Sequence, residues 1–413
     1  MGWCCCGKKK QKVDVVINAS TVENADVNIL LLGESGVGKS TFINALANYL
    51  KFDNIEQAQK GPPIALIPVS FIITEGDDFN ERIIQFGNQN QNEDFDHPGQ
   101  SVTQQCKTYP LSISTTTKCT INIIDTPGIG DTRGFEQDDL NIQNIMSYID
   151  KLPHLNAICI LLKPNESKLN VVLRSYFTQL IGLLGENACE NIVFCFTNTR
   201  GTFYSPGNTG PLLRQMLNDL PIKQIPFGKL NTFCFDSESF RYLIARLDGV
   251  AFDDFQRKEY EQSWTVSMEE SNRFLSHICT QLKPYVRKNW QSIEHARYKI
   301  KQIIEPLLKT IRDYSQETSK TNKEHFDKLR QACAQFGSFL LSTNRSSELD
   351  DPIYIYLNRM INEEQNEKIS EQLNKIKDDY EKQRRSLVMN TNSVNLPRIY
   401  ELMQEIRPLI TNK

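Results

Sequence analysis

The stretch Gly33-Glu34-Ser35-Gly36-Val37-Gly38-Lys39-Ser40, followed by Thr41, keeps the spacing G-x-x-x-x-G-K-[ST]. Each residue type has a physical task there. Glycines let the main chain close around a polyphosphate with its N–H groups turned inward, Lys39 supplies a point charge, and Ser40 offers a hydroxyl to magnesium. The plainer reading, a glycine-rich strand-to-helix turn, explains neither both outer glycines nor a second motif further on. That second motif is Asp125-Thr126-Pro127-Gly128-Ile129-Gly130-Asp131-Thr132. A carboxylate at a strand end suits a magnesium-bound water, and a glycine three positions on can offer its N–H to a terminal phosphate with no Cβ in the way. Alone, Asp-Thr-Pro-Gly is an ordinary turn; beside a phosphate loop it reads as a nucleotide-sensing switch.

Both motifs need a strand behind them and the first needs a helix after it. The run Val27 to Leu32 precedes Gly33, and Thr41 to Leu50 has helical character. From Val27 to roughly Gly249 short β-branched or apolar runs alternate with longer amphipathic stretches, which predicts an α/β fold with a mainly parallel sheet. The predicted strands are Val27 to Leu32, Ala65 to Thr74, Glu81 to Phe86, Lys107 to Ser114, Thr120 to Asp125, Ala157 to Leu162, Asn191 to Phe196 and Asn231 to Phe235. The segment Gly87 to Gln100 is too polar to order itself in a core and predicts a solvated loop. Beyond about Ala251, Ile293, Ala296, Ile300, Ile303 and Leu307 recur at helical spacing, as do Ile369, Leu373, Ile376 and Tyr380. These seams are too short for a long coiled coil, and Pro306 is expected to kink or break a helix, so a helical bundle is predicted. The expected division is a tail over 1–24, a nucleotide-binding domain over 25–250 and an all-α domain over 251–413.

GESGVGKS followed by DTPGIGDT resembles the P-loop GTPases of the translation-factor class, especially septins and the immunity-associated GIMAP proteins. The resemblance covers about half the chain and implies the three-layer P-loop NTPase fold, GTP or GDP with Mg2+ as ligands, and hydrolysis of GTP to GDP and phosphate. Gln100 to Cys106 is similar to the GIMAP switch I segment, which nominates Thr103 as a ligand of magnesium and γ-phosphate. The implied magnesium set is Ser40, Thr103 and Asp125, with Lys39, Thr103 and Gly128 at the reacting phosphate. The base-reading motif departs from the family: Phe196 is followed by Thr197-Asn198-Thr199-Arg200, so the guanine-reading aspartate is missing. Asn198 remains beside the expected base, and Asp236 or Glu238 is the expected substitute. Ile129 occupies the place of the water-orienting glutamine, which implies slow hydrolysis. Family members lacking that glutamine pair their G domains across the nucleotide, which implies a homodimer or oligomer, with Arg133 and Arg200 as residues that reach across.

Composition narrows the classes. Lys plus Arg number 47 against 50 Asp plus Glu, a net charge of −3, so no global basic field points to nucleic acid. No apolar run approaches the roughly 20 residues of a membrane-spanning helix. The eleven cysteines lie mostly singly in apolar runs without zinc-site spacing, which fits a reducing cytoplasm. The exception is Cys4-Cys5-Cys6 beside Lys8, Lys9 and Lys10, where an acyl anchor and a basic run together predict attachment to a membrane surface. A disordered tail is the plainer reading, and no cleavable secretory signal is read here. Two other functions stay open on sequence grounds: a nucleotide kinase or ATPase, and a scaffold that binds nucleotide with little hydrolysis.

Overall fold

Three of the runs read as strands, Val27–Gly33, Ala157–Leu162 and Ile192–Phe196, are buried on both faces, as a parallel sheet covered by helices on each side demands. The structure, a computed structural model, describes residues 14–15, 26–76, 78–88, 92, 103–114, 118–130, 135–166, 171–220, 225–286, 292–315, 320–343, 351–390 and 396–411. The strands are β1 (Asp14–Val15), β2 (Val27–Gly33), β3 (Val69–Glu75), β4 (Asn80–Phe86), β5 (Lys107–Ser114), β6 (Lys118–Asp125), β7 (His154–Leu155), β8 (Ala157–Leu162), β9 (Ile192–Phe196), β10 (Thr232–Cys234) and β11 (Tyr285–Val286). The helices are α1 (Lys39–Lys51), α2 (Ile55–Lys60), α3 (Phe135–Ile149), α4 (Val171–Leu184), α5 (Thr209–Asn218), α6 (Glu238–Leu247), α7 (Asp254–Thr280), α8 (Ile293–Ser315), α9 (Lys320–Thr343), α10 (Pro352–Glu363), α11 (Glu367–Asn390) and α12 (Leu396–Thr411).

A seven-stranded sheet runs β1-β5-β6-β2-β8-β9-β10. Every pairing is parallel except β5 with β6, where Lys107 faces Asp125 and Ser114 faces Lys118. The edge strand β1 falls inside the stretch expected to be a tail. Alternate residues of β2 (Val27, Ile29, Leu31) pack with α1 and α7 in one core, while Phe177 of α4 stacks on Phe194 of β9. Helices therefore cover both faces, and the three-layer P-loop NTPase arrangement is present. The opposite edge, β10, is closed by side chains of α7. Glu270 accepts the Cys234 N–H at 2.8 Å, and Arg273 donates to the carbonyls of Thr232 at 2.6 Å and Lys229 at 2.8 Å.

Two expectations need correcting. The runs Ala65 to Thr74 and Glu81 to Phe86 do not join the main sheet. β3 and β4 pair only with each other, from Val69 opposite Phe86 to Glu75 opposite Asn80, a self-contained hairpin. Its Val69 and Ile84 enter a core with Tyr49, Phe240 and Leu243, partnered there by Phe71, Ile73 and Phe86.

The boundary near Ala251 also moves. The chain divides into a unit of residues 1–181 and 186–289 and a second of residues 182–185 and 290–413. α7, which falls within the expected all-α domain over 251–413, belongs to the first unit. Its Trp264 meets Tyr49 of α1 edge-on at 4.9 Å, and Phe274 packs against Phe42, Phe233 and Phe235 at 6.2, 5.2 and 5.8 Å. These buried rings fix α7 to the first unit more firmly than a shared helical pattern could tie it to the bundle.

The second unit is a bundle in which α9 packs on α8, α11 and α12, with α10 against α8 and α11. α8 continues through Pro306, whose carbonyl accepts the Thr310 hydroxyl at 2.8 Å. At the start of α10 the buried carboxylate of Asp351 caps the helix through the N–H groups of Ile353 and Tyr354, accepts the Tyr380 hydroxyl at 2.7 Å and pairs with buried Arg384.

Candidate functional site

The phosphate-binding spacing lies where the fold requires it, between the end of the central strand β2 and the start of α1. Gly38 caps α1 at φ 97°, left-handed backbone that glycine adopts without strain, and its position has no side-chain cap. No acidic residue stands in the first turn of α1. The first N–H groups of a helix have no intrahelical acceptor, so this terminus presents bare donors and the positive end of the helix dipole to an anion. Ser35 to Thr41 line a cavity of about 540 Å³, within the range of small-molecule sites.

Not every main-chain amide of the loop is free for that cavity. Ser35 N–H donates to the Ile129 carbonyl at 2.8 Å and Val37 N–H to the Glu34 carbonyl at 3.2 Å, so these two amides are spent inside the loop. The carbonyls of Gly33 and Glu34 accept from Lys39 Nζ at 3.0 and 3.1 Å, behind the wall. An ammonium has three donors, and the third remains for a phosphate oxygen. Burial brings the Lys39 ammonium down to about 8, opposed by Asp125 and then Glu34. The Glu34 carboxyl is raised by burial first and Glu166 second, with Lys163 and Lys39 opposing. β9 braces the loop as well: the Thr197 hydroxyl donates to the Val37 carbonyl at 2.8 Å.

Ser40, Thr103 and Asp125, far apart in sequence, converge. Ser40 Oγ and Thr103 Oγ1 each donate to Asp125 Oδ2 at 3.2 Å, and the two hydroxyls are 3.4 Å apart. Asp125 Oδ1 accepts the Thr126 N–H at 3.1 Å. Burial pushes the fully enclosed Asp125 carboxyl above its ordinary value, while Lys39 and the two hydroxyls pull it back. Neighbouring ligands around an octahedral Mg2+ at about 2.1 Å lie roughly 3 Å apart, so this triangle of hard oxygens fits the ion. Ser40 and Thr103 would hold it, with Asp125 behind them. Bound there, Mg2+ would neutralise charge on the phosphates.

The Gly128 loop is docked on the phosphate loop. Ile129 bridges Glu34 in parallel, and its N–H donates to the Gly33 carbonyl at 3.3 Å. Gly128 lies against Ser35, and Gly130 reaches the cavity wall.

Residues 23–154 match the Septin family model. This part of the chain is similar to the GTPase domain of septins. Among solved structures, Toc33 from Arabidopsis thaliana in complex with Mg2+ and GMPPNP is 12% identical at a TM-score of 0.38, over 63% of this chain and 88% of that one. The septin GTPase domain from Chlamydomonas reinhardtii is 15% identical at a TM-score of 0.28, over 57% of this chain and 73% of that one. No curated protein matches the chain.

At the other end of the cavity, Asn198 lies exposed on the wall in left-handed backbone, φ 57°. Asp236 is not on that wall. Its carboxylate accepts the Ser263 hydroxyl at 2.6 Å, lies 3.6 Å from Arg200 Nε, and is raised mainly by burial. The expected base contact through Asp236 is therefore corrected: α7 captures that side chain. Glu238, two residues on, does line the cavity. Arg200 is likewise held by Asp236 and by the Tyr260 ring at 4.9 Å, which removes it as a residue reaching across an interface. Sequence reasoning missed Lys163, Ser237, Arg241 and Phe71, all on the wall. Arg133 and Asp131 to Thr132 lie outside the described residues, as do Cys4, Cys5, Cys6 and residues 93–100 of the polar loop.

Proposed function

We propose that this chain binds a guanine nucleotide with Mg2+ and acts as a slowly hydrolysing switch. The γ-phosphate holds Thr103 and the Gly128 loop, and its loss frees both. The observation that carries this is the triangle of Ser40, Thr103 and Asp125 oxygens beside the Lys39 ammonium at the N-terminus of α1. The strand-to-helix context and the family match to residues 23–154 support it. The active form self-associates through the nucleotide-binding face, and the chain sits on a cytoplasmic membrane surface through acylated Cys4, Cys5 or Cys6.

Chromatography of nucleotide released from the purified protein, with equilibrium titration of Lys39→Ala, tests the binding. GDP or GTP is expected, and Lys39→Ala should weaken binding by about thirtyfold, the equivalent of about 2 kcal/mol of charge-assisted contact. Undiminished affinity would refute the phosphate role. Phosphate release measured against protein concentration tests catalysis by pairing: a rate per molecule that stays flat removes it. Membrane fractionation of a Cys4/Cys5/Cys6→Ser variant tests the anchor, which equal partitioning would reject.

One observation favours a second reading, a nucleotide-binding scaffold with little or no turnover. Ile129 is 1% exposed, and its N–H and carbonyl are tied to Gly33 and Ser35. A buried aliphatic side chain cannot orient an attacking water.

A further inference from the structure

Neighbouring strands lie about 4.8 Å apart, so the ends of β9 and β10 stand roughly 10 and 14 Å from the end of β2. A base attached through its ribose to phosphates at Lys39 reaches that distance, where Asn198, Ser237, Glu238, Arg241 and Phe71 form the wall.

Glu238 is fixed in place there. Arg241 Nη1, one helical turn on, donates to both of its carboxylate oxygens at 2.9 and 3.1 Å. The Arg241 guanidinium in turn lies 4.5 Å over the ring of Phe71. That ring comes from β3, in the hairpin outside the main sheet, so a separate element braces a helix-borne ion pair through a cation–π contact. Beside them Ser237, 6% exposed, has a buried hydroxyl oxygen with no partner among the described residues. A buried hydroxyl without a partner is costly, and one on a cavity wall is relieved by a polar ligand atom.

Resting on the guanine-nucleotide reading above, we infer that base selectivity is set by a relay from Phe71 through Arg241 to Glu238, with Ser237 as a direct contact. Phe71 and Arg241 are positioning residues. They hold the Glu238 carboxylate where it accepts N–H groups from the guanine edge and repels the acceptor that adenine presents in the same place. The carboxylate has more acceptor sites than the arginine occupies, so pairing with Arg241 leaves it able to take the base. Ser237 Oγ completes the contact with the bound nucleoside.

The test is equilibrium titration of the full chain with GDP, IDP and ADP in the presence of Mg2+. IDP lacks the 2-amino group and reports the second carboxylate contact. The wild type should prefer GDP to ADP by about a hundredfold or more and to IDP by about tenfold. Arg241→Ala should cut both ratios by about tenfold while ADP affinity stays within about twofold; Arg241→Lys and Phe71→Leu should each cut them by about threefold. Ser237→Ala should weaken GDP by about fivefold. Damage to folding would lower all three nucleotides together and leave the ratios intact. Unchanged ratios in Arg241→Ala, whether or not overall affinity falls, would overturn the relay. A wild type that binds ADP as well as GDP would instead overturn the guanine reading itself.

Discussion

Gly128 packs so closely on the phosphate loop that a β-carbon there would lie 2.6 Å from Ser35 Cα and 2.7 Å from Ser35 N. The neighbour is main chain, so it cannot swing aside. Gly128→Ala should push the two loops apart, break the Ser35–Ile129 bond, and cost about 1–3 kcal/mol of stability. Thermal unfolding of the ligand-free protein, together with GDP titration, measures both effects. Wild-type values for both would show that the contact is not as tight as the structure places it.

Lys39 gives the site a pH dependence. Its ammonium titrates near about 8 in the fold against an ordinary 10.5, so between those values the unfolded chain binds a proton that the folded chain lacks. Stability of the ligand-free protein should therefore rise with pH across that window. Nucleotide affinity should move oppositely, because phosphate prefers the charged form. Kd should be flat below pH 8 and increase toward about tenfold per unit above it. Titration at several pH values is the check, and Lys39→Arg, charged throughout, should lack the slope. A wild-type profile that stays level through pH 9.5 would show an ammonium that does not deprotonate there.

A chain ending at residue 250 should fail to fold, whereas one ending at residue 286 should unfold cooperatively. The shorter chain loses Trp264, Phe274, Leu275 and Ile278, all fully buried in the first unit. Each large side chain removed from a core costs about 3–5 kcal/mol, and together they exceed the whole stability of an ordinary domain. Soluble expression followed by calorimetry distinguishes the two. A well-behaved 1–250 fragment would disprove the role given to α7.

What was legible in the sequence follows from how local each signal is. The loop from Gly33 to Ser40, the helix after it and the carboxylate of Asp125 announce themselves within a few residues, and the parallel strands do so as unbroken apolar runs. Asp236 was misread because its fate depends on Ser263 and Arg200, contacts set by the packing of a distant helix. α7 was misplaced for the related reason that an amphipathic helix shows the width of its apolar face and not what covers it. Phe71 carried no signal at all: its importance comes from the β3–β4 hairpin lying beside α6.

In the helical unit, Arg384→Ala should be far more damaging than Tyr380→Phe. The first strands a buried carboxylate at Asp351 without its counter-charge, at about 3–5 kcal/mol; the second removes one hydrogen bond, worth about 1 kcal/mol. Denaturant unfolding of the two variants compares them, and equal losses would show that the ion pair adds nothing beyond the hydroxyl.

The clasp of Glu270 and Arg273 over β10 bears on how copies of this protein can meet. A bare strand margin accepts any extended peptide and lets sheets extend from molecule to molecule. Here a carboxylate already takes the Cys234 amide and a guanidinium the Thr232 carbonyl that an incoming strand would need. That flank therefore offers a second copy no ready main-chain ladder, which withholds a template for fibrous growth.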